Sequence, residues 1–169
     1  MQALEAVMRA RELLQTLTPL RRDCGDVCGA ACCAPDEDGQ GGMLLFPGEE
    51  ALYQPLPAGF SLRQDDGVLP GMLLLICGGV CDRALRPLAC RMFPLTPVLS
   101  VRDGRERLSV RMDPRAFAVC PLCEGGVRGM DVAFAQAVLQ SARILNDCPE
   151  HQAYFRALGR YFERLRSWN

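Results

Sequence analysis

The chain has 169 residues, and its 49% hydrophobic and 23% charged residues are typical of a globular protein, which excludes a wholly disordered or collagen-like chain. The net charge of −1 gives no electrostatic footprint for DNA or for an anionic membrane, so we do not expect nucleic acid as a ligand. All 19 basic residues are arginine, which excludes Schiff-base and P-loop lysine chemistry, and the single histidine, His151, excludes metal sites with two histidines.

The first predicted element is a helix over residues 2–18, where apolar residues recur at helical spacing until Pro19 ends the pattern. Charged residues such as Glu5 and Arg9 interrupt this stretch, so it lacks the unbroken apolar core of a signal peptide. The longest dense apolar run, at residues 72–76, is too short to span a bilayer. We therefore expect no membrane segment and a cytoplasmic protein, in which thiols are kept reduced.

The middle of the chain predicts an irregular segment followed by short strands. Residues 23–42 are rich in glycine, aspartate and cysteine, and we expect them to be irregular. A helical turn is expected at residues 48–54, and strands are expected at residues 43–46, 68–77, 95–101 and 107–112. The Asp103-Gly104 pair between the last two strands is a hairpin signal.

Two helices are predicted in the C-terminal third, over residues 131–167. Asp131 is a suitable cap for a helix that ends near Leu145, and Pro149 suits the first position of the next helix. The aromatic and leucine residues from Tyr154 onward recur at helical spacing and indicate a core face. A short link should make the two helices an antiparallel pair, and His151 is expected on their polar, solvated side.

These elements predict an α+β fold in one domain spanning residues 1–169. An N-terminal helix (2–18) and a C-terminal helical hairpin (131–167) would pack on a small sheet and organise an irregular cysteine-rich core (24–123).

The ten cysteines fall in three clusters and one singleton: Cys24, Cys28, Cys32 and Cys33; Cys77, Cys81 and Cys90; Cys120 and Cys123; and Cys148. Closely spaced cysteines in glycine-containing loops can direct several thiolates at one point, as a tetrahedral metal site requires. In a reducing compartment such clusters are typical of metal binding more than of disulfides.

Individual cysteines allow other interpretations. Cys148 has no cysteine neighbour and is expected to be a small buried hydrophobe. The Cys120-x-x-Cys123 pair fits a metal knuckle, a redox pair or coincidence. Of the adjacent Cys32 and Cys33, either one ligates metal while the other packs, or the two serve different metals.

Arg86 and Arg91 lie among the second cluster of cysteines, together with Arg83. A metal held by four thiolates carries net negative charge, which these arginines could offset while lowering the thiol pKa values. The alternative is a structural ion pair with Asp82 or Glu124.

The first cluster, followed by Arg86-Pro-Leu-Ala-Cys-Arg-Met-Phe-Pro94 and by Cys120-Pro121, resembles the CxxCxxCC cysteine-cluster family of YkgJ-like proteins, which are described as zinc- or iron-chelating. The resemblance covers roughly residues 24–121 and implies metal chelation without implying a reaction. This chain departs from the family pattern in its first cluster, where the gaps are three residues long and not two. A related motif in flagellin lysine-N-methylases is associated with an iron–sulfur cluster.

We therefore expect a metal-binding protein whose candidate ligands are Cys24, Cys28, Cys32, Cys33, Cys77, Cys81, Cys90, Cys120 and Cys123, with Arg86 and Arg91 beside them. Thiolate ligation suits zinc, our first choice, or an iron–sulfur cluster. One alternative is an iron–sulfur redox or radical component that acts with an unidentified protein partner, because the chain is too short for a complete catalytic barrel. Another is a thiol redox sensor that oxidises Cys32 with Cys33 or Cys120 with Cys123. Whether the protein is an enzyme is left open, and no catalytic residue is assigned.

Overall fold

The computed structural model describes residues 1–34, 41–79 and 81–167, and for residues 166 and 167 it describes the backbone alone. Within these ranges the α-helices are α1 (Ala3–Leu13), α2 (Gly25–Cys28), α3 (Leu88–Met92), α4 (Val132–Asn146) and α5 (Pro149–Ser167). The strands are β1 (Met43–Leu44), β2 (Ser61–Asp65), β3 (Met72–Ile76), β4 (Leu95–Arg102) and β5 (Arg105–Met112). Short 3₁₀ turns lie at Ala31–Cys33, Glu49–Tyr53, Arg83–Leu85, Pro114–Ala118, Pro121–Cys123 and Val127–Gly129.

The described strands form two antiparallel sheets, so the fold class is α+β as predicted. One sheet has the order β1-β3-β2, and the other is the hairpin β4-β5. The hairpin turns at Asp103 and Gly104, whose φ angles of 53° and 72° are the positive values that a two-residue turn with right-handed strand twist requires. The predicted hairpin is therefore confirmed.

The hydrophobic core lies between α1, α4, α5 and the β4-β5 hairpin. The helix α1 buries Ala6, Val7 and Ala10, and α4 packs mainly against this face. The helix α5 packs mainly on β4, and both C-terminal helices contact other elements more than each other. At the crossing, a Cβ built on Gly159 would lie only 2.5 Å from the carbonyl oxygen of Leu99, so this position needs glycine for close packing.

Some predicted boundaries differ from the structure. The helix α1 ends at Leu13 and not at residue 18, because Arg83 binds the carbonyl groups of Gln15 and Leu17 after the chain has left the helix. The polar strand β2 was not predicted, since it is a mostly exposed edge strand held by main-chain pairing with β3. Residues 23–34 form two single-turn helical segments and are not wholly irregular, whereas residues 35–40 of the same prediction lie outside the described part.

The C-terminal helices begin where predicted. Asp131 accepts a hydrogen bond from the N–H of Ala133 at 2.7 Å as the cap of α4, and Pro149 starts α5. The prediction that His151 is solvated is wrong, because its side chain is fully buried. Its Nε2 lies 3.1 Å from the carbonyl oxygen of Ala3, and its ring packs edge-on to Phe46. Burial lowers the pKa of His151.

None of the helices in the described ranges is long and apolar enough to cross a bilayer.

Candidate metal centre

A cavity of about 100 Å³ lies next to the hydrophobic core, with which it shares wall residues such as Leu17 and Leu122. Of the ten cysteines, all of which the structure describes, eight line this thiol-lined cavity: Cys24, Cys28, Cys32, Cys33, Cys77, Cys81, Cys90 and Cys120. All ten cysteines are free thiols. The fold thus brings together thiols that are widely separated in the sequence.

The first cysteine cluster is carried by two single helical turns. Cys24 precedes α2 and Cys28 ends it, so the two thiols lie about one turn apart, and Cys28 Sγ donates to the carbonyl oxygen of Cys24 at 3.5 Å. The next two residues, 29 and 30, have φ angles of 63° and 55°, and this left-handed pair redirects the chain. The following 3₁₀ turn then carries Cys32 and Cys33 at the cavity wall.

Cys32 and Cys33 interact directly. The Cys32 thiol donates a hydrogen bond to the sulfur of Cys33, which lowers the pKa of Cys33 to about 6 and raises the pKa of Cys32. The guanidinium of Arg86 also lowers the pKa of Cys33. Cys33 is therefore the member of the pair that ionises more readily.

The second cluster surrounds the end of β3 and the helix α3. Cys77 follows β3 directly, and its Sγ lies 3.7 Å from the carbonyl oxygen of Gly79. Cys90 lies in the middle of α3. Burial raises the pKa of Cys90, and the neighbouring thiols of Cys33, Cys81 and Cys77 raise it further. Cys33 from the first cluster is thus an electrostatic neighbour of Cys81 and Cys90 in the second.

The loop between Cys81 and Cys90 is fixed by side chains that bind its backbone. Every carbonyl group from residue 83 to residue 86 accepts such a hydrogen bond, and we call residues 82–87 the arginine-held loop. Arg91 donates to three of these carbonyls at 3.0–3.1 Å, and Arg11 donates to two at 2.9–3.1 Å. Tyr53 Oη donates to the carbonyl of Leu85 at 2.9 Å. Three side chains outside the loop therefore hold the segment that joins Cys81 to Cys90.

Arg83 ties the same loop to the end of α1. Its guanidinium donates to the carbonyl groups of Leu14, Gln15 and Leu17, while Asp82 accepts a hydrogen bond from the N–H of Ala84 at 2.8 Å. These contacts fix the position of the loop relative to the helical core.

A buried carboxylate connects the arginine-held loop to α3. Glu49 is fully buried and accepts hydrogen bonds from Arg11 at 2.9 Å, from the N–H of Leu88 at 2.7 Å and from the N–H of Phe46 at 3.1 Å. Burial raises the pKa of Glu49, and these donors oppose the shift. Sequence reasoning missed this group, because its partners Arg11 and Leu88 are 38 and 39 positions away and no local pattern points to them.

Arg86 and Arg91, which we expected beside the thiolates, have different surroundings. Arg91 is buried and donates to the backbone of the arginine-held loop. Arg86 is a neighbour of Cys24 and Cys33 and hydrogen-bonds to Cys81. Within the described residues, its buried Nε has no hydrogen-bond partner. The ion pairs in the described part include none from either arginine to Asp82 or Glu124.

The remaining cysteines lie at the edge of the cavity or away from it. Cys120 lines the cavity, whereas Cys123 is buried outside the cavity wall and shares a hydrogen bond with the Cys120 thiol. Burial raises the pKa of Cys123 to about 11. Cys148 is fully buried in the link between α4 and α5 and donates to Glu150 Oε2 at 2.8 Å. The expectation that Cys148 is buried is confirmed.

The chemistry of the cavity lining fits zinc or an iron–sulfur cluster, because thiols dominate its ionisable groups and Arg86 supplies positive charge beside them. In the described ranges, no group of three or more Cys, His, Asp or Glu side chains is already arranged to hold a metal ion. The thiols therefore surround the cavity without converging on one point.

Comparisons with models of protein families, with curated proteins and with solved structures find no match for this chain. The resemblance to the cysteine-cluster family stays a prediction.

Proposed function

We propose that this chain is a metal-binding protein that holds zinc through cysteine thiolates at the thiol-lined cavity. The observation that carries the proposal is that eight thiols from separate stretches of the chain line one cavity. Cys148 gives a contrast within the same protein, because it packs in the interior, is fully buried and does not line the cavity. Eight of the other nine cysteines, all but Cys123, lie where a small ligand has room.

The donor set favours zinc or an iron–sulfur cluster over other metals. Thiolates are soft ligands that suit both, whereas magnesium and calcium prefer oxygen. Neutral thiols must lose their protons when they bind metal, and burial, with the neighbouring thiols, raises the pKa of Cys90 and Cys24, so metal binding at these thiols should weaken as the pH falls. Zinc would supply no redox chemistry and would cross-link the segments that carry the thiols.

We choose zinc over a cluster on two grounds. Only Cys120 and Cys123 have the C-x2-C spacing of a zinc knuckle, whereas the C-x3-C-x3-CC spacing of the first cluster matches neither the C-x2-C zinc ribbon nor the C-x2-C-x2-C run of bacterial ferredoxins. Zinc thiolate sites also survive handling in air. Because all ten cysteines are free thiols, a reducing compartment fits the chain, and we place the protein in the cytoplasm.

Metal analysis of protein purified under anaerobic conditions tests the proposal. We expect zinc in the wild-type protein and in the Cys148→Ala control, and a loss of zinc in both Cys33→Ser and Cys90→Ser. Removal of zinc with a chelator should lower the thermal midpoint, because a ligand that binds only the folded state stabilises it.

Three outcomes would contradict the proposal. Iron and acid-labile sulfide in equal amounts, without zinc, would assign an iron–sulfur cluster instead. Metal-free protein with thiols that oxidise reversibly would assign a redox sensor. Full zinc content in Cys33→Ser and Cys90→Ser would place the metal elsewhere. The sequence-based expectations about nucleic acid and a protein partner stay predictions.

A further inference from the structure

Of the nine clustered cysteines, all of which the structure describes, Cys123 alone does not line the thiol-lined cavity. It is only 8% exposed, whereas Cys120, three residues earlier, is half-buried and lines the cavity wall. The C-x2-C spacing of the two suits either a metal knuckle or a redox pair. The position of Cys123 beside a candidate ligand, but outside the cavity, calls for an explanation of its own.

The backbone between Cys120 and Cys123 forms one tight turn. The N–H of Cys123 donates to the carbonyl oxygen of Cys120 at 3.1 Å, and the 3₁₀ turn Pro121–Cys123 follows Cys120 directly. A turn closed by a hydrogen bond from residue i+3 to residue i keeps their Cα atoms within about 7 Å. A disulfide needs a Cα separation of about 4.4–6.8 Å. A disulfide can therefore bridge this pair with little movement of the backbone.

Main-chain hydrogen bonds hold this turn from both sides. The N–H of Cys120 donates to the carbonyl oxygen of Ala116 at 2.7 Å, and the N–H of Gly126 donates to that of Cys123 at 3.1 Å. The ring of Pro121 fixes one backbone angle inside the turn. Groups that are held close together in this way react with each other faster than with groups elsewhere. Cys123 is therefore the preferred partner of Cys120.

The adjacent Cys32 and Cys33, the other redox pair that the sequence suggests, are less suited to a disulfide. The Cα atoms of adjacent residues lie about 3.8 Å apart across a trans peptide, which is below the range that a relaxed disulfide spans. Cys120 and Cys123 are the better pair of the two because the turn separates them by the distance that the bond requires.

The difference in exposure assigns the two thiols different steps. The half-buried Cys120 can meet a dissolved reagent, whereas the buried Cys123 is shielded from one. Cys123 can still reach Cys120, because the two share one turn. In thiol–disulfide exchange, one thiolate first forms a mixed disulfide with the reagent, and a second thiolate then resolves it. Cys120 fits the first step and Cys123 the second.

We propose that Cys120 and Cys123 form a reversible disulfide by exchange with a low-molecular-weight disulfide, and that this modification withdraws Cys120 from zinc. The Cys120 sulfur attacks the reagent, whose S–S bond breaks and releases one thiol, which carries away the proton of Cys120. The Cys123 sulfur then attacks the Cys120 sulfur, and the second thiol leaves with the proton of Cys123. The two cysteines are oxidised and the reagent is reduced to two thiols.

The second half of the proposal rests on the proposed function. Cys120 is one of the eight thiols at the cavity, so its disulfide takes away a candidate ligand of the metal. Because Cys123 lies outside the cavity wall, the new bond ties Cys120 to a residue that is not at the metal site. Disulfides in cytosolic proteins are usually transient and catalytic or redox-sensing, which fits a bond that regulates metal binding.

Peptide mapping of the full chain tests the disulfide. Trypsin cleaves after Arg115 and Arg128, so residues 116–128 form one peptide that contains Cys120, Cys123 and no other cysteine. Reduced, metal-free protein receives one equivalent of glutathione disulfide, and the remaining thiols are blocked with iodoacetamide. We expect this peptide to take up most of the reagent and to become two hydrogen atoms lighter, and dithiothreitol should reverse the change. The fully buried Cys148, in a separate peptide, should stay reduced.

Two matched variants test the order of the steps. Cys123→Ser removes the second thiol, so the reaction should stop with glutathione bound to Cys120. Cys120→Ser removes the first thiol, so Cys123 should stay unreacted. Circular dichroism establishes that each variant is folded, and the mapping of wild-type protein tests the disulfide without either variant.

Zinc titration tests the link to the metal. Reduced and oxidised wild-type protein are each titrated with Zn²⁺ against a chromophoric chelator. Loss of a group that only supports a metal ligand typically lowers affinity by about 10–100-fold, so loss of a ligand should lower it by at least about tenfold. Bound Zn²⁺ should in turn disfavour the disulfide, because coupling between two sites is reciprocal.

The outcomes separate the two proposals. A disulfide from Cys120 to any other cysteine, a mixed disulfide that persists in wild-type protein, or a reagent consumed at other peptides would overturn the assignment of the pair. Equal zinc affinity in the reduced and oxidised forms would overturn the link to zinc. Reduced wild-type protein that forms the disulfide but binds no Zn²⁺ would overturn the proposed function and leave the disulfide standing.

Discussion

Replacing Glu49 with alanine removes a carboxylate that satisfies three donors in the interior. The N–H groups of Leu88 and Phe46 are buried and would lose their acceptor, and each such loss costs about 1–3 kcal/mol. Arg11 would lose its carboxylate partner but keep its bonds to the arginine-held loop. Breaking a buried ion pair by removing one partner typically costs about 3–5 kcal/mol, and we expect Glu49→Ala to fall in that range.

The free energy of unfolding in urea, measured on metal-free protein with reductant, checks this value. For a chain of this size, about 3–5 kcal/mol corresponds to a fall of roughly 6–20 °C in the thermal midpoint. Glu49→Gln keeps one acceptor oxygen and the shape of the side chain, so its loss should be smaller, about 1–3 kcal/mol. The exposed Glu12 in α1 gives a matched control, and Glu12→Ala should change stability by no more than about 0.5 kcal/mol.

Glu49→Ala should also weaken zinc binding, because the N–H of Leu88 begins the helix that carries Cys90. A destabilisation below about 1 kcal/mol, close to that of an ordinary substitution, would refute the claim that Glu49 anchors this region. If Glu49→Ala lowers the free energy of unfolding as expected but leaves zinc affinity unchanged, only the link between the carboxylate and the metal site would be refuted.

Three further predictions concern other parts of the fold. Burial lowers the pKa of His151 in the folded protein, so below about pH 6.5 the unfolded state binds more protons than the folded state does. The stability difference between wild-type protein and His151→Gln should therefore be constant above about pH 6.5 and fall below it by at most about 1.4 kcal/mol per pH unit. Parallel curves from urea titrations at pH 5–8 would contradict this. Gly159→Ala should lower the free energy of unfolding by about 1–3 kcal/mol although alanine favours helices, because its Cβ would collide with a β4 carbonyl. The exposed Arg160→Ala is the control, and a rise in the thermal midpoint of Gly159→Ala would contradict the close crossing. Arg91→Lys should lower the free energy of unfolding by about 1.5–3 kcal/mol and weaken zinc binding, because one ammonium cannot replace a guanidinium that donates to three carbonyls. The exposed Arg143→Lys is the control, and equal unfolding curves in urea for the two variants would argue against the arginine-held loop.

Local sequence signals predicted the elements that depend on local interactions. The Asp103-Gly104 turn, the Asp131 cap and Pro149 each act within a few residues, and the hairpin and C-terminal helices begin or turn where these residues lie. The polar strand β2 is stabilised by pairing with β3, so its own residues carried little signal.

The arrangement of the cavity depends on contacts that no local pattern encodes. Clustering in the sequence suggested which cysteines are candidates, but Cys33 comes close to Cys90 because the 3₁₀ turn after α2 and the helix α3 both contribute to the wall of one cavity. Arg91, which was expected beside the thiolates, lines the cavity and also donates to three backbone carbonyls, and contacts of this kind have no signature in the sequence. His151 was placed on the wrong side because a polar residue on an amphipathic helix was assumed to be solvated, whereas α1 covers it.

The wall of the cavity formed by residues 21–34 has a kinetic consequence. No side chain in this segment is buried, and its helical turns are only three or four residues long. Segments with so little buried surface open with far smaller free energies than the core does. Amide hydrogens from Cys24 to Cys33 should therefore exchange with solvent much faster than those of α4 and α5. Because this opening leaves the core intact, the metal ion that we propose for the thiol-lined cavity would enter or leave at a rate set by a local fluctuation, without the chain having to unfold.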